Sequence, residues 1–241
     1  MKIVVDTHTH TIASGHAYST IQEMAAEAAK KNIEAFAVTD HGPKMKGGPF
    51  LYHFGNLRVV PDTINNVRII KGAEVNIIDY SGTLDIPDDY LKRLEFVLAS
   101  FHDICIEPGS VEDNTNALIN VMKNPYIDAI AHPGNPVFKV DIPKVVSAAK
   151  EFNKYIEINN DSFVIRPGSY ENCKEIALEC KKQGVKVVCG SDAHISFDVG
   201  RFERVCGLFE EIDMPESLVM NISLSNFLEY FRFKKQRLQK R

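Results

Sequence analysis

The 241-residue chain has no tryptophan, no Cys-x-x-Cys pair and no uncharged apolar stretch near the ~18 residues that a membrane span requires. Its first apolar run, Ile3-Val4-Val5, stops at Asp6 and is too short for the core of a signal peptide. The five cysteines (105, 173, 180, 189 and 206) are odd in number and form no spaced pair, which fits reduced, buried thiols. These absences predict a cytoplasmic location and no membrane partner. An excess of positive charge is also missing: 28 Lys and Arg stand against 32 Asp and Glu, a net charge of −4, which argues against a dedicated polyanion binder. The local exception is the basic C-terminal stretch FRFKKQRLQKR. No linker or composition break divides the chain, so a single domain over 1–241 is expected, ending in a short basic tail over 232–241.

Short β-type apolar runs recur along the whole length: KIVV, EAFAVT, VRIIKGAEV, EFVLAS, DAIA, KYIEI and VKVVCG. Helix-like segments lie between most of them. STIQEMAAEAAKKN opens with Ser19 or Thr20 as N-cap and Gln22 or Glu23 three residues on. SYENCKEIALECKKQG closes on Gly184. The polar residues ending the strands are His10, His41, Glu74, His102, His132, Asn159 and Asp192, spaced 27–33 residues apart. That is one βα unit, repeated, and it predicts parallel strands joined by right-handed crossovers. Seven units favour an α/β fold of the (β/α)7 barrel kind over an open doubly wound sheet, and no Gly-rich dinucleotide fingerprint follows the first strand. GPKMKGGPFLYHFGNLRVVP reads as a long loop over the barrel mouth.

Reactive groups of such barrels sit at the C-terminal ends of the strands. Those ends carry His8, His10, His41, Glu74, His102, His132, Asp192 and His194, with His16 just beyond the first strand. The two-residue period of a strand puts Asp6, His8 and His10 of DTHTH on one face. Neutral imidazoles with carboxylates suit zinc, or manganese and iron. Seven histidines and two carboxylates exceed the four ligands of one tetrahedral ion, so two or three ions fit the count. Asp6 and Asp40 are expected to orient imidazoles. His53, in the aromatic-rich FLYHFGN, is expected to pack or to touch substrate.

The elements DTHTH, VTDH, the isolated Glu74 and His102, AHPG and GSDAH together resemble the PHP (polymerase and histidinol phosphatase) superfamily of metal-dependent phosphoesterases. The resemblance runs nearly end to end and is closest to the stand-alone YcdX-type phosphatases. It implies a distorted seven-stranded barrel with a trinuclear, zinc-type site. By matching motifs, His8, His10, Glu74 and Asp192 would hold one ion. Glu74 would bridge to a second held by His102 and His132, and His16, His41 and His194 would take the third.

Three dications among two carboxylates leave the mouth at about +4, which draws a phosphate dianion to an acidic protein. Catalysis is then expected through a metal-bound hydroxide held by His8, His10, Glu74 and Asp192, with no Ser or Cys nucleophile. Arg58, Arg166 and Arg201 are candidate phosphate contacts. The expected reaction is hydrolysis of a phosphate monoester on a small phosphorylated substrate. Two alternatives stand beside it: a phosphodiesterase or nuclease served by the basic tail, and a non-catalytic metal-stabilised domain. The negative overall charge and the scarcity of aromatics in the tail argue against nucleic acid. Nothing in the helices decides for or against a homo-oligomer.

Overall fold

The computed structural model describes residues 1–239. Seven parallel strands form the frame: β1 (Val5–Thr9), β2 (Ala35–Val38), β4 (Val67–Asn76), β5 (Phe96–Ser100), β6 (Ala129–Ile130), β7 (Tyr155–Asn159) and β8 (Val187–Gly190), hydrogen-bonded in that order. The register places Val5 beside Ala35, Phe36 beside Ile69, Ala73 beside Val97 and Ile156 beside Val187, and shifts once, between Asp6 and Thr9 of β1 against β2. Helices α1 (Ile21–Lys30), α4 (Val111–Met122), α5 (Ile142–Phe152) and α7 (Ser169–Gln183) make the longer crossovers. Shorter ones are α2 (Leu51–Asn56), α3 (Asp88–Leu91) and α6 (Ser162–Ile165); α8 (Glu203–Glu211) and α9 (Leu224–Gln239) follow β8. Their starts obey local chemistry. Thr20 caps α1 in a reciprocal box with Glu23, Ser110 does the same for α4 with Asp113, and Asp141 caps α5. This is the expected (β/α)7 barrel as a single α/β domain.

The distortion sits at the seam between β1 and β8. At the mouth the chain beyond β8 returns to β1 by backbone bonds, Asp192 N to His8 O (2.9 Å) and His10 N to Ala193 O (2.8 Å). Lower down, side chains bridge the gap. The Thr7 hydroxyl donates to Cys189 O (2.8 Å), and the buried Asn221 amide donates to both Val5 O (2.7 Å) and Cys189 O (2.8 Å) while accepting from Cys189 N. The ring therefore closes without a regular ladder at that edge.

Two segments differ from the sequence expectation. The presumed long mouth loop contains α2 and a 3₁₀ turn at Leu57–Val59, and just beyond it an additional strand, β3 (Thr63–Ile64), runs antiparallel to β4. Its two-residue turn, Asn65-Asn66, has φ of 51° and 63°, the left-handed pair that a tight type I′ hairpin demands and asparagine tolerates. The second difference is the tail. Residues 232–239 are the last turns of α9, which plugs the barrel floor; residues 240–241 lie outside the described part. Fully buried Phe227 meets Phe96 edge-to-face, with centroids 5.9 Å apart, and Tyr230 meets Tyr155 at 5.1 Å.

Lys234, one of the residues that made the tail look basic, is buried and spends its charge on the fold. Its Nζ donates to Asp128 Oδ2 (2.6 Å), Glu95 O (3.1 Å) and Tyr126 O (3.4 Å), while the Tyr230 hydroxyl donates to Asp128 Oδ1 (2.5 Å). Removing one partner of a buried pair strands the other charge in a low-dielectric interior. Lys234→Ala is expected to lower stability by about 3–5 kcal/mol, read from the urea midpoint; a change under about 0.5 kcal/mol, the size of an ordinary surface substitution, would refute the staple.

Candidate metal centre

All nine residues singled out by their strand-end positions converge on the mouth. The hub is Glu74, a buried carboxylate on β4. Its Oε1 lies 2.8 Å from His132 Nε2 and 3.4 Å from His102 Nε2, and its Oε2 lies 2.7 Å from His41 Nδ1, 3.3 Å from His8 Nε2 and 3.5 Å from His10 Nε2. Asp192, across the seam, places Oδ1 3.2 Å from His10 Nε2 and 3.5 Å from His8 Nε2. Outward from these, His10 stacks on His41 and His194 (centroids 4.2 and 4.4 Å), and His16 stacks on His41 and His194 (5.0 and 4.8 Å). Asp192 and His132 hold left-handed backbone, φ 57° and 32°. For residues with a Cβ this is strain of the kind found at functional sites.

The hydrogen bonds behind the imidazoles decide which nitrogens face inward. His8 Nδ1 donates to Glu157 Oε1 (2.8 Å). The Ser14 hydroxyl has its single proton committed to Asp40 Oδ1 (2.7 Å), so at 3.2 Å it accepts from His10 Nδ1. The Asn76 amide nitrogen donates to Asp85 Oδ2 (2.6 Å) and Gly42 O (3.2 Å), which leaves Asn76 Oδ1 to accept from His102 Nδ1 (2.7 Å). His194 Nδ1 donates to Asp192 O (2.8 Å). Each ring therefore turns a lone-pair nitrogen toward the centre, the arrangement that fixes a metal-ligating tautomer.

Those inward nitrogens face one another. His8 Nε2 and His10 Nε2 are 3.0 Å apart, as are His194 Nε2 and His16 Nε2. His41 Nδ1 and Glu74 Oε2 are buried with no hydrogen-bond partner of acceptable geometry, although only 2.7 Å separates them. Two lone pairs at that distance repel unless a cation lies between them. Four atoms, His8 Nε2, His10 Nε2, Glu74 Oε2 and Asp192 Oδ1, are separated by 3.0–3.5 Å over the five pairs that include an imidazole. Ligands bound ~2.0–2.1 Å from a tetrahedral ion are about 3.3 Å apart. The donor set fits a divalent metal. Two further clusters lie close enough to share an ion: His41, Glu74 and His102, and His10, His41 and His194. His41 thus stands nearer Glu74 than the motif-based grouping with His16 and His194 places it.

Electrostatics points the same way. Burial opposes charge on His8, but Glu157, Glu74 and Asp192 outweigh it and hold its pKa well above the ordinary imidazole value. Burial and neighbouring His41 push His10 down to about 3. Burial also lowers His102, against the pull of Glu74. Burial would raise Glu74 and Asp192, yet the surrounding imidazoles, and Arg166 for Asp192, keep both well below the carboxylate range. Glu74 and Asp192 thus keep their negative charge at the centre, a field that attracts a dication.

A cleft of about 530 Å³ opens above the cluster, lined by His16, His41, His102 and His194 and by Arg166 and Arg201. Arg166, mostly buried, donates to Ser162 Oγ (2.8 Å) and lies 3.6 Å from Asp192 Oδ2; Arg201 pairs with Asp198 at the rim. The other expected positions fall elsewhere. Arg58 lines a separate groove with Tyr52, Tyr90 and Arg93, because α2 turns that segment away from the mouth. His53 lies in the same groove and bonds Asp40 Oδ2 (3.1 Å), so it packs rather than reaches the cleft. Asp40 thereby orients His53 directly and His10 only through Ser14, with its own pKa at about 2 despite burial. Asp6 orients no imidazole: its carboxylate accepts from Ser191 N, Gly200 N and His8 N, and ties the loop after β8 to β1.

Glu157, Ser14, Asn76 and Asp85 were missed by sequence reasoning. Only Glu157 carried a signal: a charged residue inside the buried alternating strand YIEIN. Gly190 faces it. A Cβ there would lie 2.2 Å from Glu157 Oε1 and 2.3 Å from His8 Cβ.

Fold and cluster together define a barrel of the PHP type. The PHP domain family model matches residues 6–240, and the chain belongs to that family. A protein named a probable phosphatase in Acetivibrio thermocellus is 69% identical over 241 residues, covering 100% of both chains. A probable phosphatase of Thermoanaerobacter sp. strain X514 is 55% identical over 240 residues, 99% of this chain and 98% of that one. Among solved structures, histidinol phosphate phosphatase of Lactococcus lactis, in complex with zinc, L-histidinol and phosphate, superposes with a TM-score of 0.60 over 89% of this chain and 95% of that one, at 14% identity, a likeness of fold.

Glu157→Gln keeps the shape but replaces the carboxylate behind His8 with a neutral amide. Zinc affinity is expected to fall about 10–100-fold, measured by competition with a chromogenic chelator, and Gly190→Ala is expected to do likewise by displacing the same carboxylate. Unchanged affinity in both would show that the His8–Glu157 bond does not tune the centre.

Proposed function

We propose that the chain is a metal-dependent phosphatase acting on phosphate monoesters of small molecules, with a multinuclear, zinc-type centre. The observation that carries this reading is the inward set of His8, His10, Glu74 and Asp192 at tetrahedral spacing beneath an open cleft with an arginine on its wall. In this reading His8, His10, Glu74 and Asp192 hold one ion, Glu74 with His102 and His132 a second, and His16, His41 and His194 a third. Zinc suits the donors best, and manganese or iron suits them next. The names of the relatives, and the zinc and phosphate bound by the Lactococcus neighbour, support the same reaction class.

When bound, divalent ions in such a cluster lower the pKa of water and neutralise phosphoryl oxygens. The protein supplies the rest. Glu157, Ser14 and Asn76 hold three rings in the ligating tautomer, so no reorganisation is needed on substrate entry. Arg166 is ion-paired with Asp192 Oδ2 at 3.6 Å and bonded to Ser162 Oγ through the same Nη1, and its other guanidinium donors on the cleft wall can grip a phosphoryl oxygen at the mouth. The leaving group then extends past Met45, Ile104 and Ile165 on the cleft wall.

Monoesters are favoured over nucleic acid because the basic end of α9 packs beneath the barrel, away from the mouth, with Lys234 consumed by Asp128. A cytoplasmic setting fits the five free cysteines. No helix among the described residues is long and apolar enough to cross a membrane.

Protein purified without chelator is expected to carry two to three metal ions per chain and to hydrolyse an aryl phosphate monoester only while loaded. His8→Ala and Asp192→Ala are each expected to lose metal and about a thousandfold or more in kcat/KM, since several kcal/mol of transition-state stabilisation leaves with the ion. An active, metal-replete His8→Ala/Asp192→Ala double variant would overturn the assignment. Arg166→Ala is expected to keep the metal and lose about 10–100-fold in kcat/KM, the worth of a hydrogen bond to a charged group. Preference for a bis-aryl phosphodiester over the monoester would replace the monoesterase reading with the diesterase one.

A further inference from the structure

Three buried side-chain atoms among the described residues lack a hydrogen-bond partner. Two, His41 Nδ1 and Glu74 Oε2, belong to the mouth. The third is Arg237 Nε, at the opposite end of the barrel, where among the described residues the guanidinium makes one hydrogen bond, a long one from Nη2 to Pro125 O at 3.4 Å. A poorly satisfied guanidinium calls for an acceptor, as the orphaned acceptors at the mouth call for a cation. Arg237 lines a groove of about 580 Å³ between α9, the end of α5 and the starts of β7 and β8.

The groove is strongly cationic in a protein that is acidic overall. Among the described residues, Lys150, Lys154, Lys186, Lys234 and Arg237 line it against a single carboxylate, Glu229. Asp128 beneath is paired with Lys234. The ends of α5 and α7 also point here, each worth roughly −0.5 charge. Together they offset about one lysine, and Lys150 already answers one end by donating to Gln183 O (2.8 Å). Setting aside Lys154, which donates to Asn124 O and Ile127 O, and Lys234, which is paired with Asp128, the charges of Lys150, Lys186 and Arg237 exceed those of Glu229 and both helix ends by about one, in a concave site. Aromatic surface borders it: Phe233 is 57% exposed, and Tyr230 and Tyr155 form the adjoining wall.

We propose that this groove binds a nucleotide-type anion, its phosphates held by Lys150, Lys186 and Arg237 and its base laid against Phe233. The site lies at the floor of the barrel, so its occupant meets α9 and the seam residue Met220 rather than the catalytic cleft. It does not rest on the phosphatase reading. It accounts for the basic C-terminal stretch, which the mouth leaves unused.

The test is calorimetric titration of the metal-loaded, full-length protein with adenosine imidotriphosphate, which resists phosphatases, beside inorganic tripolyphosphate. Saturable binding of the nucleotide below millimolar Kd is expected. It should weaken at least tenfold in Lys186→Glu and in Arg237→Gln, persist in Asp192→Ala, and weaken with added salt. Phe233→Ala should remove the advantage of nucleotide over tripolyphosphate. Lys186 is exposed and lies far from the mouth, so unchanged aryl phosphate hydrolysis by Lys186→Glu verifies its fold. Equal binding of both probes by the intact protein would reduce the ligand to a bare polyphosphate and overturn the nucleotide assignment. Binding that vanishes in Asp192→Ala but survives Lys186→Glu, or no saturable binding at all, would overturn the groove.

Discussion

A single buried carboxylate organises this protein. Glu74 lies in van der Waals reach of imidazoles contributed by β1, the ends of β2, β5 and β6, and the chain beyond them, and its side chain is 1% exposed. An isolated carboxylate so buried costs several kcal/mol in lost hydration. What offsets that cost is the positive field of the ring around it, whether carried by protons or by bound ions. The strands must therefore bring their ends together tightly, and the barrel's closure and its chemistry become the same requirement. Around this core the orienting groups form a second ring: Glu157 behind His8, Ser14 behind His10, Asn76 behind His102, each held in turn by its own partner.

Much of this was legible in the sequence because its signals are periodic. The recurrence of polar strand ends every 27–33 residues encoded the barrel, and the alternation within DTHTH put His8 and His10 on one side. What escaped had no period to betray it. The Asn65-Asn66 hairpin is a two-residue backbone feature just beyond a segment whose Gly and Pro content suggested loop throughout. Arg58 was grouped with the mouth because it belongs to the long loop expected to cover it, but α2 carries it and His53 to another face. Asp6 shares the face of His8 by parity, yet its carboxylate finds backbone amides first, since Ser191 and Gly200 arrive there only through the closing loop. Lys234 was read as part of a short basic tail; that its charge is buried beneath β5 and β6 depends on where a 16-residue helix docks, which no local pattern states.

The two ends of the barrel divide the labour of charge. The mouth gathers lone pairs and carboxylates, and so favours cations; the floor gathers ammonium and guanidinium groups around Asp128, and so favours anions. A chain with a net charge of −4 thus separates its charges along the barrel axis, and each end answers the helix dipoles that point at it.

The seam carries one more consequence. His8 and Asp192, 184 positions apart, come together only when the segment after β8 has bonded to β1 and Asp6 has caught Ser191 and Gly200. No nascent chain short of that length holds both, and no early cluster of strands can stand in for the late one. Metal capture in this fold is then a report on completion: an ion that requires both margins of the seam adds its binding free energy to the finished ring alone, and selects against every partly built one.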